Sequence, residues 1–332
     1  GASAMNPVTY ARAASISDAL HMAGGDGVRL LGGGTNLIDL MRKGVDAPLR
    51  LVDVTALSDG VGRADDGGLI IGAAARNSTV AAHPLVRSHY PMLARAILAG
   101  ASAQVRNMAT VGGNVMQRTR CLYFNDVAGS RCNKRLPGSG CDAIGGFNRY
   151  HAILGGSDAC IAAHPSDMCV ALAALDAQVH IAGPGRERSV PLVDFHRLPG
   201  ERPDIETVLD PTEIIVAVTL PPSPLAGLSA YRKVRDRASY AFALVSVAVG
   251  LAMREGRVEA IGVAFGGIAP RPWRASRIED ALRGAVFSSE AIEKAFEAEF
   301  AEATLSPGNG FKRGLAKRTL SAMLAELAGG VQ

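Results

Sequence analysis

The chain has 332 residues, room for roughly two domains at about 150 residues each. Its 35 Lys and Arg face 31 Asp and Glu, a formal charge of +4, too balanced for a surface built to grip a nucleic-acid polyanion. Hydrophobic residues make up 48% and charged residues 20%, so a sizeable core can form and a disordered chain is excluded. The longest uncharged apolar run, Tyr240 to Met253, is shorter than the about 20 residues of a membrane span and reads as one buried strand. Gly1 to Ala4, ahead of Met5, resemble a tag-cleavage scar. After Met5 no basic stretch leads into an apolar one, so no export signal of the chain's own is expected.

From Val28 the pattern reads strand, turn, helix, strand. Val28 to Leu31 is apolar, Gly32-Gly33-Gly34 breaks the run, and Thr35 sits where an N-cap belongs ahead of Leu37, Ile38, Leu40 and Met41 at helical spacing. Gly44 ends that helix as a C′ glycine would, and Leu51 to Val54 is the next strand. Leu69 to Gly72 opens a second unit, with a helix over Met92 to Leu98 and a polar stretch from Gln104 to Arg120. Residues 117–160 have little periodicity and many turn formers; a loop of that length inside a domain is usually functional or pinned. Ser166 can cap a helix over Asp167 to Leu175, and Gly183-Pro184-Gly185 predicts a hairpin. A boundary falls at Pro221 to Pro224. Beyond it Ser229 to Val234, Ala243 to Met253 and Val258 to Phe265 predict three antiparallel strands, with a turn at Arg254 to Arg257, and the remainder is helical. Ile292, Phe296 and Phe300 share one helix face; Leu315, Leu320, Leu324 and Leu327 share another.

Three glycines between a strand and a helix let backbone N–H groups converge on an anion at a helix N-terminus. The spacing matches neither GxGxxG nor GxxxxGKS/T, so Gly32 to Asn36 is either a phosphate turn of another kind or an ordinary tight turn. A second pair, Gly112-Gly113 within Thr110 to Asn114, suits a dinucleotide gripped from two sides, against two unrelated turns. All five cysteines lie between Cys121 and Cys169. Cys121, Cys132, Cys141 and Cys160 lack the close pairs of a zinc knuckle; an iron–sulfur cluster, scattered free thiols and two disulfides stay open. Arg118, Arg120, Arg131, Lys134 and Arg135 outnumber Asp126 and Asp142 there and would compensate thiolates, and glycines at 129, 138, 140, 145 and 146 would let N–H groups approach sulfur. Cys169 reads as core. Asp167 is placed to cap a helix or bind ribose hydroxyls, and Tyr231 to Arg235 alternates along a strand, one face of which could be a solvated charged face and nothing more. His83, His89 and His180 read as surface residues, and no nucleophile–base set or metal-hydrolase motif is present.

Gly32 to Asn36, Thr110 to Asn114, Pro165-Ser166-Asp167 and Tyr231-Arg232-Lys233 together resemble the FAD-binding medium subunit of the molybdenum hydroxylases, over essentially the whole chain after Met5. Gln117 to Cys121, Cys132 to Cys141, Cys160 to Asp167, Tyr231 to Leu244 and Pro272-Trp273-Arg274 are similar to the flavin subunits of periplasmic aldehyde oxidoreductases. The resemblance implies an α+β fold. A two-subdomain FAD-binding module of the vanillyl-alcohol-oxidase type would span 5–222, with subdomains about 5–60 and 61–222 and an iron–sulfur loop at 117–160; a C-terminal domain of a three-stranded antiparallel sheet plus helices would span 223–332.

It further implies that FAD pyrophosphate lies on Gly32, Gly33, Gly34, Thr35 and Asn36, flanked by Arg29, Leu30, Leu31 and Leu37, with Thr110, Gly112, Gly113 and Asn114 completing the grip. Asp167 would bind on the adenosine ribose side, and Ile215 and Lys233 would sit near the flavin. Cys121, Cys132, Cys141 and Cys160 would hold a 4Fe-4S cluster, with Cys169 outside the pattern and no catalytic residue in this chain. Molybdenum cofactor and 2Fe-2S clusters would belong to a large and a small partner subunit, since neither a molybdopterin region nor a C-x4-C-x2-C pattern occurs here. Electrons would leave through FAD to an external acceptor. Export would follow a signal-bearing partner to the periplasm, with the cytoplasm as alternative. Rival readings are a stand-alone flavin reductase of the same fold and a non-catalytic zinc- or disulfide-stabilised interaction subunit.

Overall fold

The computed structural model describes residues 7–238 and 241–329; the expected scar, Met5 and Tyr240 lie outside them. The first layer is a small parallel sheet. Strands β1 (Thr9–Arg12), β2 (Val28–Leu31) and β3 (Arg50–Asp53) lie in the order β1-β3-β2, joined by helices α1 (Ile16–Met22) and α2 (Leu37–Arg42). Two side chains hold the start of α1: the Ser15 hydroxyl accepts from Asp18 N at 3.0 Å, and the Asp18 carboxylate accepts from Ala14 N at 2.8 Å. For α2 the cap is Asn36, not the expected Thr35, and its side chain makes no capping bond because Oδ1 accepts from Arg118 N at 3.0 Å instead. Gly44 follows α2 at φ +72°, the left-handed geometry expected of it.

The second layer begins with β4 (Val61–Arg63) and β5 (Leu69–Gly72) and continues through α3 (Asn77–Ala82), α4 (Pro84–His89), α5 (Pro91–Ala99), α6 (Ala103–Met108), α7 (Val111–Val115), α8 (Leu122–Asn125) and α9 (Asp167–Ala174). Hairpin β6 (Gln178–Gly183) and β7 (Arg186–Pro191), then α10 (Leu192–Phe195) and β8 (Ile214–Leu220), complete an antiparallel sheet of order β4-β5-β8-β6-β7. The polar stretch from Gln104 to Arg120 thus holds two short helices. The glycine pair there belongs to α7, whose N-cap Thr110 accepts from Gly113 N at 3.2 Å. Helix α9 is buried along its whole length and packs on α5, so the core of this layer runs from Leu93 and Ile97 to Val170 and Leu172.

In the third layer β9 (Leu228–Val234), β10 (Val245–Arg254) and β11 (Arg257–Gly266) are the three expected antiparallel strands, and a two-residue strand β12 (Trp273–Arg274) extends the sheet to β12-β11-β10-β9. Glu255 and Gly256, both at positive φ, make the tight turn between β10 and β11. Helices α11 (Ser276–Leu282), α12 (Ser289–Glu299) and α13 (Phe311–Gly329) cover one face, with Phe296 stacked on Phe300 at 4.1 Å and Leu320 and Leu324 fully buried. The whole is an α+β architecture. Among the described residues no helix is long and apolar enough to cross a membrane.

Outside α8, residues 117–160 are pinned rather than regular. Isolated bridges pair Cys132 with Cys141 and Ser157 with Cys160. The far end is bolted to the third layer: Ile153 N and Leu154 N donate to Ile268 O at 2.8 and 3.0 Å, and both side chains join its core.

Candidate functional site

The two glycine segments meet. A Cβ at Gly33 would stand 1.9 Å from Met108 O, and one at Gly32 would stand 2.6 Å from the Thr110 hydroxyl, so backbone lies directly on backbone where the first layer joins the second. Gly34 is glycine for another reason, its φ of +75°. Among the described residues, the N–H groups of Gly33, Gly34, Thr35 and Asn36 donate to no protein acceptor. Asn36 Nδ2 is buried and also without a partner. A row of unsatisfied donors at the start of a helix is what an anion needs, and unpaired buried donors are otherwise costly. The residues present therefore fit a phosphate-bearing cofactor.

Arg29, Leu30, Gly32 to Leu37, Thr110, Gly112, Gly113 and Ile215 line one cavity of about 500 Å³. Leu31, Asn114, Asp167 and Lys233 do not line it. Its rim also carries Asp46, Asp204, Glu206, Asp210 and Glu213, which the sequence reading passed over although four of them cluster between residues 204 and 213. Each is neutralised by a cation: Asp46 by Arg29 at 3.2 Å, Asp204 by Arg202 at 2.7 Å, Asp210 by Arg186 at 2.7 Å, Glu206 by Arg118 at 2.5 Å and Lys134 at 3.0 Å, and Glu213 by Arg186 and Arg188 at 2.7 Å. The hydrogen bond from Arg188 leads in holding the Glu213 carboxyl down at about 2.

A second cavity, of about 370 Å³, is lined by Asp167, His164, Ser166, Arg120, His151 and the β10–β11 edge at Ser246 and Gly266. Asn114 marks the border, since its Oδ1 accepts from the Ser166 hydroxyl at 2.6 Å. Asp167 is buried with both oxygens engaged, Oδ2 by Lys233 Nζ at 2.9 Å and Oδ1 by the Tyr231 hydroxyl. Tyr231 and Lys233 thus face inward from β9, and Arg232 has the solvated role, paired with Glu326 at 2.7 Å. The structure brings Lys233 to Asp167 and leaves Ile215 with the glycine segments.

The five cysteines are free. Cys121, Cys132, Cys141 and Cys160 come from four turns of one loop, yet Cys132 and Cys160 raise the Cys121 thiol electrostatically, and Cys141 and Cys132 act on Cys160 in the same sense. Burial is the larger cause and pushes Cys121 up to about 12. Two nitrogens stand close to the sulfurs: Ala162 N donates to Cys160 Sγ at 3.4 Å, and His151 Nε2 stands 3.1 Å from Cys121 Sγ. The expected surplus of loop cations is mostly consumed elsewhere. Arg118 and Lys134 both bind Glu206, Arg120 approaches Asp39 at 3.7 Å, Arg131 binds Asp142 at 2.7 Å, and Arg135 spans the carbonyls of Tyr123, Asp126 and Ser130; Lys134 also acts on Cys160. Gly138, Gly140 and Gly145 serve positive-φ turns, and Gly129 N donates to Asp126. Among the described residues no three His, Cys, Asp or Glu side chains are placed to hold a metal ion. Cys169 is fully buried in α9.

The histidines that matter are not those first noted. His180 is half-buried between the hydroxyls of Ser189 and Thr219, His83 caps α4 by accepting from Leu85 N at 3.2 Å, and His89 is exposed. His164 and His196 lie with ring centres 4.3 Å apart and planes tilted by 56°, and burial lowers both, His196 to about 4.

Residues 5–223 match the family model described as the FAD binding domain in molybdopterin dehydrogenase, and residues 229–327 match the CO dehydrogenase flavoprotein C-terminal domain. The chain is similar to the aldehyde oxidoreductase FAD-binding subunit PaoB of Escherichia coli, 50% identical over 97% of this chain and 98% of that one. It is 25% identical to the carbon monoxide dehydrogenase medium chain of Afipia carboxidovorans over 91% and 88% of the two chains. The fold is shared with the solved CO dehydrogenase from Oligotropha carboxidovorans, at a TM-score of 0.75 and 22% identity over 98% of this chain and 99% of that one. Two family models that between them take in nearly all of the chain, and a full-length relative at half identity, settle its place: it belongs to the molybdenum hydroxylase family of oxidoreductases, as the FAD-binding medium subunit.

Proposed function

We propose that this chain is the FAD- and 4Fe-4S-carrying electron-transfer subunit of a heterotrimeric, molybdenum-containing aldehyde oxidoreductase that is exported with a signal-bearing partner. Residues 5–222 would bind the flavin and 223–332 would close over it. The observation that carries the flavin half is the row of unpartnered donors from Gly33 to Asn36. FAD, when bound, collects single electrons arriving from 2Fe-2S centres of a small partner and gives them up to an external acceptor. The pyrophosphate would rest on Gly33 to Asn36 and against the α7 N-terminus. From there one half of the dinucleotide would enter the cavity with Ile215 and the other the cavity beside Asp167 and Lys233. Because Lys233 and Tyr231 already occupy the Asp167 oxygens, Asp167 acts by fixing Lys233 more than by binding a ribose.

The aldehyde substrate would be handled by a large molybdopterin subunit, as the name of the half-identical relative supports. For the cluster, the support is four free thiols on one pinned loop that influence one another, with a backbone N–H at one sulfur and an imidazole nitrogen within hydrogen-bond reach of another. A cubane takes its ligands at four corners, so its thiolates need not converge on a point as ligands of one ion do. Iron analysis tests the set. Cys132→Ser should lower bound iron by about one cluster, while Cys169→Ala should leave iron unchanged; equal loss from both would remove the four-against-one assignment.

A further inference from the structure

We infer that His151 is a positioning residue for the cluster, donating its Nε2–H to the Cys121 thiolate and thereby raising the cluster's reduction potential. The inference rests on the four-cysteine reading above. His151 is almost completely buried, and its Nε2 stands 3.1 Å from Cys121 Sγ while its Nδ1 has no partner. A neutral imidazole carries one N–H. Placed on Nδ1, that hydrogen would be a buried donor without an acceptor, and the Nε2 lone pair would face the thiolate. Placed on Nε2, it meets the sulfur, so a ligating thiolate selects the Nε2–H tautomer.

The backbone around the ring is fixed from the third layer. Lys312 Nζ, fully buried on α13, donates to His151 O at 2.9 Å and Gly267 O at 2.8 Å, and Asn309 Nδ2 donates to Ala152 O at 3.1 Å. His151 N donates to Asn148 O at 3.0 Å, and Tyr123 packs 6.2 Å from the ring. These contacts fix the backbone that carries the imidazole, and Tyr123 flanks the ring itself. A hydrogen bond to a ligating sulfur draws electron density from it and favours the reduced cluster.

The test uses the full chain with its flavin, in wild type, His151→Leu and His151→Gln, with iron and flavin contents measured first and a redox titration followed by low-temperature EPR. Leu removes the donor; Gln keeps an N–H that can reach the sulfur. The expected result is about one cluster's iron and full flavin in all three. The Leu variant alone should have a lower cluster potential, by roughly a tenfold change in the reduced fraction at a fixed potential, or about 59 mV for one electron. Full iron with an unmoved potential in the Leu variant would overturn the role of His151 and leave the cluster standing. Equal shifts in both variants would also overturn it, because loss of ring packing would then be the cause. Absence of iron from the wild type would remove the cluster, and the inference with it.

Discussion

Asn36 is the residue on which the proposed cofactor grip turns, because its two side-chain atoms are placed differently. Oδ1 holds Arg118 N, and Nδ2 is buried without a protein partner beside a row of open backbone donors. Asn36→Asp should keep the first role and reverse the second, putting a carboxylate where a pyrophosphate would lie. FAD affinity should fall by at least about tenfold, or about 1.4 kcal/mol. A fluorescence titration of apoprotein with FAD measures it, and unchanged affinity would remove Asn36 from the site. Gly33 is a poorer probe. Any side chain there strikes Met108 O, so flavin loss on substitution would report the broken junction and not a contact with the cofactor. Gly44 was legible with its reason, but Gly32 and Gly33 were legible only as glycines: proximity to another segment's hydroxyl or carbonyl has no trace in local spacing. The pair of histidines escaped for the same cause, since only the tertiary fold brings His164 beside His196.

At the scale of elements, two polar links tie strands to their neighbours, and each makes a separate prediction. Glu213, just ahead of β8, is almost wholly buried and receives Arg186 and Arg188 from β7. Its folded value of about 2 lies below the ordinary 4.5, so the link adds stability above pH 4.5 and loses it as pH falls from 4.5 towards 2. Glu213→Gln should flatten the acid limb of the stability curve over that window, measured by urea unfolding at stepped pH. Lys233 on β9 reaches Asp167 on α9 with both groups buried, and Lys233→Met should cost about 3–5 kcal/mol by leaving a buried carboxylate unpaired. Adding Asp167→Asn should recover part of that loss in the melting temperature; no recovery would mean the pair does not act as a pair.

Elements bounded by glycine or long enough to show a period were legible, such as β5 at Leu69–Gly72 and the faces of α12 and α13. The short helices α3, α4 and α6, six residues each, complete too few turns to leave a period, and β4 and β12 are shorter still.

At the scale of the whole molecule, the functional claim is one of divided labour, with electron exit in this chain and substrate oxidation in a partner. The purified chain given an aldehyde anaerobically should show no flavin bleaching, dithionite should bleach it, and adding the two partner subunits should make bleaching depend on the aldehyde. Bleaching by aldehyde in this chain alone would replace the proposal with a complete flavoenzyme. The family was legible because the glycine segments and the cysteine loop are contiguous in sequence, whereas the pairing of Asp167 with Lys233, 66 residues apart, was not. The first layer, finally, is joined to the rest by a modest core, Ala13, Ala19 and Val52 against Ala182 and Ile214, and by the close seat of Gly32 and Gly33 on residues 108–110. A ligand that spans that seam adds its own binding free energy to holding the layers together, about 2.7 kcal/mol at a hundredfold excess over Kd. Without such a ligand, the first layer is held at this seam by that small core and close seat alone.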